Sequence, residues 1–136
     1  YQPAPGLDDL PELIEGVRAT GLTVELTLSN DLEAVPRQTG AAVYRITREA
    51  LTNVIRHAAA SNVSVQVDHH DGRVEVAIRD NGTGAGNGRE VSGPGHGIAG
   101  MRERAEALGG SLSAGPSSDG GFLVAASLPA GSDRPR

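Results

Sequence analysis

Two runs of alternating apolar residues, Val63, Val65, Val67 and Val74, Val76, Ile78, stand on either side of Asp71-Gly72. A period of two puts each set on one face of a strand, and Asp-Gly suits a two-residue hairpin because both positions tolerate positive φ. The pattern predicts two antiparallel strands with one apolar face. Such a hairpin is not stable alone, so the face needs a cover. The segment from Pro36 to about Ala58 supplies it: at helical spacing Val43, Ile46, Ala50, Leu51, Val54, Ile55 and Ala58 fall on one broad arc, with Pro36 where a first turn tolerates proline.

The rest of the chain repeats these two patterns. Leu7 to Thr20 reads as a short helix carrying Leu10, Leu13, Ile14 and Val17, stopped at Gly21. Leu22, Val24, Leu26 and Leu28 alternate as a half-buried strand. Ile98, Met101, Ala105 and Leu108 mark another helix, closed by Gly109-Gly110. Strands over about Ser111 to Ala114 and Phe122 to Leu128 follow, joined by a turn through Ser117 to Gly120. With 136 residues and aromatics only at Tyr1, Tyr44 and Phe122, one domain with an aliphatic core is expected. It spans residues 1–130, and 131–136 form a disordered tail with nothing to bury.

Composition removes several kinds of function. The chain has no cysteine, so disulfides, thiolate catalysis and cysteine-bound zinc are out. All twelve basic residues are Arg, which excludes the P-loop with its phosphate-binding Lys. A net charge of −5 with dispersed arginines argues against a nucleic-acid surface. No apolar run approaches the roughly 20 residues that span a bilayer, so the chain reads as soluble.

Three features interrupt the apolar pattern. On the long helix Glu49, Asn53 and His57 stand at i, i+4 and i+8 along the edge of the apolar arc, with Arg56 just outside. Oxygen ligands one turn apart can hold Mg²⁺, a carboxylate can orient a nucleophile, and Arg56 and His57 can meet phosphate oxygens; a solvated flank is the plainer reading. Asp80 continues the alternation of Val74, Val76 and Ile78, so it points inward. It either starts the Asn81-Gly82 turn or accepts a hydrogen bond from an exocyclic amino group such as that of adenine, with Gly82 and Gly84 letting backbone approach the ring.

The third feature is glycine: residues 80–100 contain eight and run into a helix at "GHGIAGMRERA". Gly95, Gly97 and Gly100 open that helix, whose first amides lack internal partners and attract anions. The same residues fit G-x-G-x-x-G, but "REVSGP" before them is no strand, which argues against a dinucleotide fold. His69 and His70 adjoin the Asp71-Gly72 turn without companions for a metal site.

"REALTNVIRHA", "DNGTG" and "GHGIAGMRERAEALGG", in that order and spacing, resemble the N box and the two glycine boxes of the catalytic ATP-binding domain of bacterial two-component sensor histidine kinases. The similarity runs from about Leu7 to Pro129 and looks most like the nitrate-sensor and desaturase-regulator subfamily, with its short lid over the nucleotide. The resemblance implies an α+β class, the Bergerat ATP-binding fold shared with gyrase B and MutL: a two-layer α/β sandwich with a mixed, mostly antiparallel sheet and helices on one face.

It further implies ATP and Mg²⁺ as cofactors, with Asn53 holding the metal and Glu49 beside it as the polarising carboxylate. Asp80 would read the adenine amino group. Arg56 and His57 would lie along the phosphates, and Gly95, His96, Gly97, Ile98, Gly100 and Met101 would form the lid's hinge and the phosphate-facing helix start. The family often has Thr after the last glycine turn, near the adenine, where this chain has Phe122.

The phosphate-accepting histidine of such kinases lies on a separate dimerising helical hairpin. None of His57, His69, His70 or His96 lies in one, so the chain is expected to bind Mg-ATP as a monomer without phosphorylating itself. Its partners would be the phosphoacceptor domain of the parent kinase and, indirectly, a response regulator. Its place would be the cytoplasmic part of a membrane-anchored parent. A related anti-sigma-factor kinase that phosphorylates a serine on a partner, and a degenerate nucleotide-binding module, are the competing readings.

Overall fold

The computed structural model describes residues 4–57, 59–82, 97–118 and 120–130. The Asp71-Gly72 hairpin forms as its sequence dictates. Asp71 and Gly72 take φ of 52° and 74°, and the turn joins β2 (Asn62–His70) to β3 (Arg73–Asp80) with His70 opposite Arg73. β1 (Thr23–Leu28) lies parallel to β2, because the helix α2 (Arg37–His57) returns the chain between them, as a parallel crossover requires. β5 (Phe122–Pro129) pairs antiparallel with β3 and carries β4 (Ser111–Pro116) on its other edge. The sheet order is β1-β2-β3-β5-β4.

One face of this sheet is covered. Val63, Val65 and Val67, then Val74, Val76 and Ile78, then Phe122, Val124, Ala126 and Leu128 are all buried. Against them pack Leu10, Ile14 and Val17 of α1 (Leu10–Arg18), the inner arc of α2, and Ile98, Met101 and Ala105 of α3 (Gly97–Ala107). This is the two-layer α+β sandwich expected from the sequence. Glu25, Gln66, Asp68, Glu75 and Arg79, on the opposite pleat, are exposed.

The helix ends follow from their residues. At the end of α3 the Gly110 N–H bonds the Ala105 carbonyl and the Gly109 N–H that of Glu106, a Schellman closure that Gly109 permits with a φ of 85°. Pro36 stands one residue ahead of α2, rather than in its first turn, and its carbonyl accepts the Gly40 N–H at 2.9 Å.

Two apolar expectations are corrected. Ile55 is 48% exposed, one helical step of about 100° beyond Val54, and lies over a small pocket with Leu22 and Ala60 rather than over the sheet. Leu28 is exposed and Leu26 half-buried, so β1, an edge strand, buries only Val24. Ala58 and the tail 131–136 lie outside the described residues.

Candidate functional site

Asp80 ends β3 on the covered face and is 4% exposed. Its Oδ1 accepts the Gly82 N–H at 2.8 Å. The carboxylate thus both points inward and starts the turn, and the two sequence readings are compatible. Asn81 fixes this strand end: its Oδ1 accepts the N–H groups of Ser61 and Asn62 at 3.0 and 2.9 Å, and its Nδ2 donates to Ser61 Oγ. From the other side comes Gly121, so close that a Cβ there would stand 1.8 Å from the Asp80 carbonyl oxygen.

The run of α2 can be followed from its ends. Thr39, in its first turn, donates its hydroxyl to the Pro129 carbonyl at 3.1 Å, at the far end of β5 from Phe122. The last turn lies five residues before Asn62, which is level with Asp80 through the Asn81 bonds. The helix therefore travels toward Asp80, and Asn53 and Arg56 in its final turns lie at that end of the sandwich. α3 runs the opposite way. It begins at Gly97 after the Asp80 strand end and finishes at Ala107; at Gly110, just beyond, an added Cβ would crowd the Ser127 carbonyl and Leu128 near the other end of β5.

The flank of α2 that carries Glu49 and Asn53 follows in the same way. Gly40, on the opposite edge of the apolar arc, packs on Leu7 beside α1. Glu49 and Asn53 therefore face α3, against which α2 also packs. Both are half-buried, and neither makes a hydrogen bond or ion pair with a described residue. Arg56 is exposed.

At the start of α3 Gly97 is buried with a φ of 56°, Ile98 and Met101 turn into the core, and Gly100 is half-buried. Ile98 and Met101 thus pack beneath the start of α3, whose first amides have no helical carbonyl to bond. Gly84, Gly95 and His96 lie outside the described residues, as does the side chain of His57.

Asp80, Gly82, Asn53, Arg56 and the first turn of α3 thus converge on one end of the sandwich, with Glu49 one turn below Asn53. A cavity of about 420 Å³ beside the Asp80 strand end is lined by Glu25, Ser64 and Arg79 as well as Asn81, Gly82 and Gly121, so it opens on the uncovered face of the sheet rather than between sheet and helices. His69 and His70 do not join this group. They sit about 20 Å away along β2, where His69 Nδ1 meets the Asp31 carbonyl at 3.1 Å and His70 Nδ1 the Asp68 carboxylate at 3.0 Å.

Residues 38–132 match the model of the histidine kinase-, DNA gyrase B-, and HSP90-like ATPases. The chain belongs to this ATPase family. Within it, the chain is similar to sensor histidine kinases. It is 38% identical over 126 residues to the sensor histidine kinase YxjM of Bacillus subtilis (strain 168), covering 91% of this chain and 30% of that protein. It is 40% identical over 126 residues to the nitrate/nitrite sensor protein NarQ of Escherichia coli (strain K12), covering 88% and 22%. The chain spans less than a third of the length of either relative.

The fold is that of the histidine kinase domain from the Erythrobacter litoralis EL346 blue-light activated histidine kinase. The TM-score is 0.74 at 20% identity, over 96% of this chain and 65% of that one. A histidine kinase-like ATPase domain binds ATP, so ATP is the ligand for which the converging groups must be judged.

Asn81 and Gly121 are the site residues that periodicity misses. Asn81 looks like one half of an Asn-Gly turn, and only its side-chain bonds reveal a clamp between β2 and β3. Gly121 follows Gly120 and reads as turn backbone, yet Gly120 is the one with a positive φ of 103°. Nothing short of the β3–β5 pairing shows why Gly121 must lack a side chain.

Proposed function

We propose that this chain holds Mg-ATP at the Asp80 end of the sandwich and presents the γ-phosphoryl group to a histidine on a separate dimerising helical hairpin of the same parent kinase, for relay to a response regulator. The observation that supports it most is the convergence of the inward Asp80 carboxylate, the Asn53 and Glu49 flank of α2, and the start of α3. Asp80 accepts a hydrogen from the adenine amino group through the carboxylate. Arg56, with His57 beside it in sequence, lies along the phosphates, and the first amides of α3 face them. Gly82 would let backbone approach the adenine ring, a role also assigned to Gly84, and Gly95 and His96 are assigned to the lid's hinge; these last three lie outside the described residues.

The residues fit magnesium. Glu49 and Asn53 are oxygen donors one turn apart, half-buried and without a protein partner among the described residues. Mg²⁺ suits such a sparse set, because it keeps waters and substrate phosphate oxygens in its shell. Bound there, it would neutralise phosphate charge. Asn53 would hold it, with Glu49 beside it as the polarising carboxylate.

Transfer then requires positioning more than covalent chemistry from this chain. An imidazole nitrogen of the partner attacks the γ-phosphorus, the bond to the bridging oxygen breaks, and ADP leaves. The parent is read as a membrane-anchored kinase with this domain in the cytoplasm, and the isolated chain as a monomer. Among the described residues no helix is long and apolar enough to cross a membrane.

The test is transfer in trans. The chain, γ-labelled ATP and a separately prepared histidine hairpin from the parent should give acid-labile phosphate on the hairpin and none on the chain. Label on the chain, or acid-stable label on a serine of a partner, would reject the reading.

A further inference from the structure

The sheet rung that carries Asp80 is otherwise hydrocarbon on its inner side. Asp80 pairs with Val63 on β2 and with Phe122 on β5, and all three side chains face the helices. Val63 is 3% and Phe122 5% exposed. Cross-strand neighbours bring their Cβ atoms to about 4.5–5.5 Å, so an apolar wall stands on each side of the carboxylate within the width of one base. The contact of Gly121 with the Asp80 carbonyl fixes β5 against β3 one residue earlier, and with it the height of the Phe122 ring beside Asp80.

We propose that Phe122 determines how the base is read, an inference that rests on the nucleotide reading above. With Phe122 and Val63 beside it, Asp80 is the only side chain on this rung that can bond the base. Recognition then goes to the exocyclic amino group alone. A flat base that donates its amino hydrogen to Asp80 turns the neighbouring ring atom toward the same rung, and in adenine that atom is the acceptor N1.

A Ser or Thr at position 122 would place a hydroxyl there, able to donate to N1 directly or through a bridging water. Phe122 places ring carbons there, so a water beside N1 has only the Asp80 carboxylate to share, already bonded to the Gly82 N–H and facing the amino group. N1 therefore adds little to affinity at this site. The amino group carries the selection, because a base without it sets a C–H against a buried carboxylate.

Two analogues separate these contributions: 1-deaza-ATP, in which N1 is a C–H, and the triphosphate of purine riboside, which lacks the amino group. Calorimetric titrations would compare both with ATP on the wild-type chain, Phe122→Thr and Phe122→Leu. The wild type should bind 1-deaza-ATP within about twofold of ATP, and the purine riboside triphosphate about 10–100-fold more weakly. Phe122→Thr should come to prefer ATP over 1-deaza-ATP by about 2–10-fold, and Phe122→Leu should keep the wild-type ratio.

A wild-type preference for ATP over 1-deaza-ATP of more than about fivefold would overturn the inference while leaving the nucleotide site intact. An unchanged ratio in a folded Phe122→Thr would do the same. If Phe122→Thr does not fold, the wild-type and Phe122→Leu ratios decide it. Absence of ATP binding altogether would sink the site and the inference together.

Discussion

Gly121 meets Asp80 backbone to backbone, and a Cβ at position 121 would stand 1.8 Å from the Asp80 carbonyl oxygen and 2.9 Å from its carbon. The obstacle is main chain at the end of the β3–β5 ladder, so no side-chain rotation can relieve it. Gly121→Ala should destabilise the domain by at least about 2–3 kcal/mol, the upper range for overpacking, and should weaken ATP binding by displacing the strand end that aims Asp80. Gly115→Ala is the control: a Cβ there meets nothing within 4 Å, so its cost should stay below about 0.5 kcal/mol. Urea unfolding of the two variants, read for midpoint at constant slope, makes the comparison.

Thr47 lies on the inner arc of α2, is 0% exposed, and has a hydroxyl with no hydrogen-bond partner among the described residues. Valine has nearly the same shape without the stranded polar group. Thr47→Val should raise stability by about 1 kcal/mol, seen as a higher midpoint in thermal unfolding, with ATP affinity unchanged. A lower midpoint would mean that the hydroxyl is satisfied in solution.

Asp80 serves the fold with one oxygen and, in the proposed function, the base with its charge. Asp80→Asn keeps an oxygen able to accept the Gly82 N–H, so the fold should survive. It removes the charge and points an amide hydrogen toward the base amino group. ATP affinity should fall by about 10–100-fold with little change in unfolding midpoint, measured by calorimetry beside urea titration. Equal losses of affinity and stability would show instead that Asp80 serves the turn alone.

Much of this architecture was legible because it is local. Alternation through Ile78 was enough to turn Asp80 inward, Asp71-Gly72 gave the hairpin, and helical spacing put Glu49 and Asn53 on the edge of a buried arc. What stayed hidden depends on neighbours distant in sequence. Alternation reports which face a residue occupies but not which strand lies beside it. The meeting of Phe122 and Gly121 with Asp80, across more than 40 residues, therefore had no local signal. Leu28 failed for the same reason, because its exposure is set by where the sheet ends, whereas Ile55 lies one helical step past the packed arc.

The most direct test is titration of ATP into the isolated chain, with Mg²⁺ and again with the metal chelated, for the wild type and Asn53→Asp. The wild type should bind one ATP per chain with Mg²⁺ and lose most of that affinity on chelation, whereas Asn53→Asp should alter the metal dependence while unfolding like the wild type. No saturable binding, or binding of equal strength with and without the metal and unchanged by the substitution, would contradict the account.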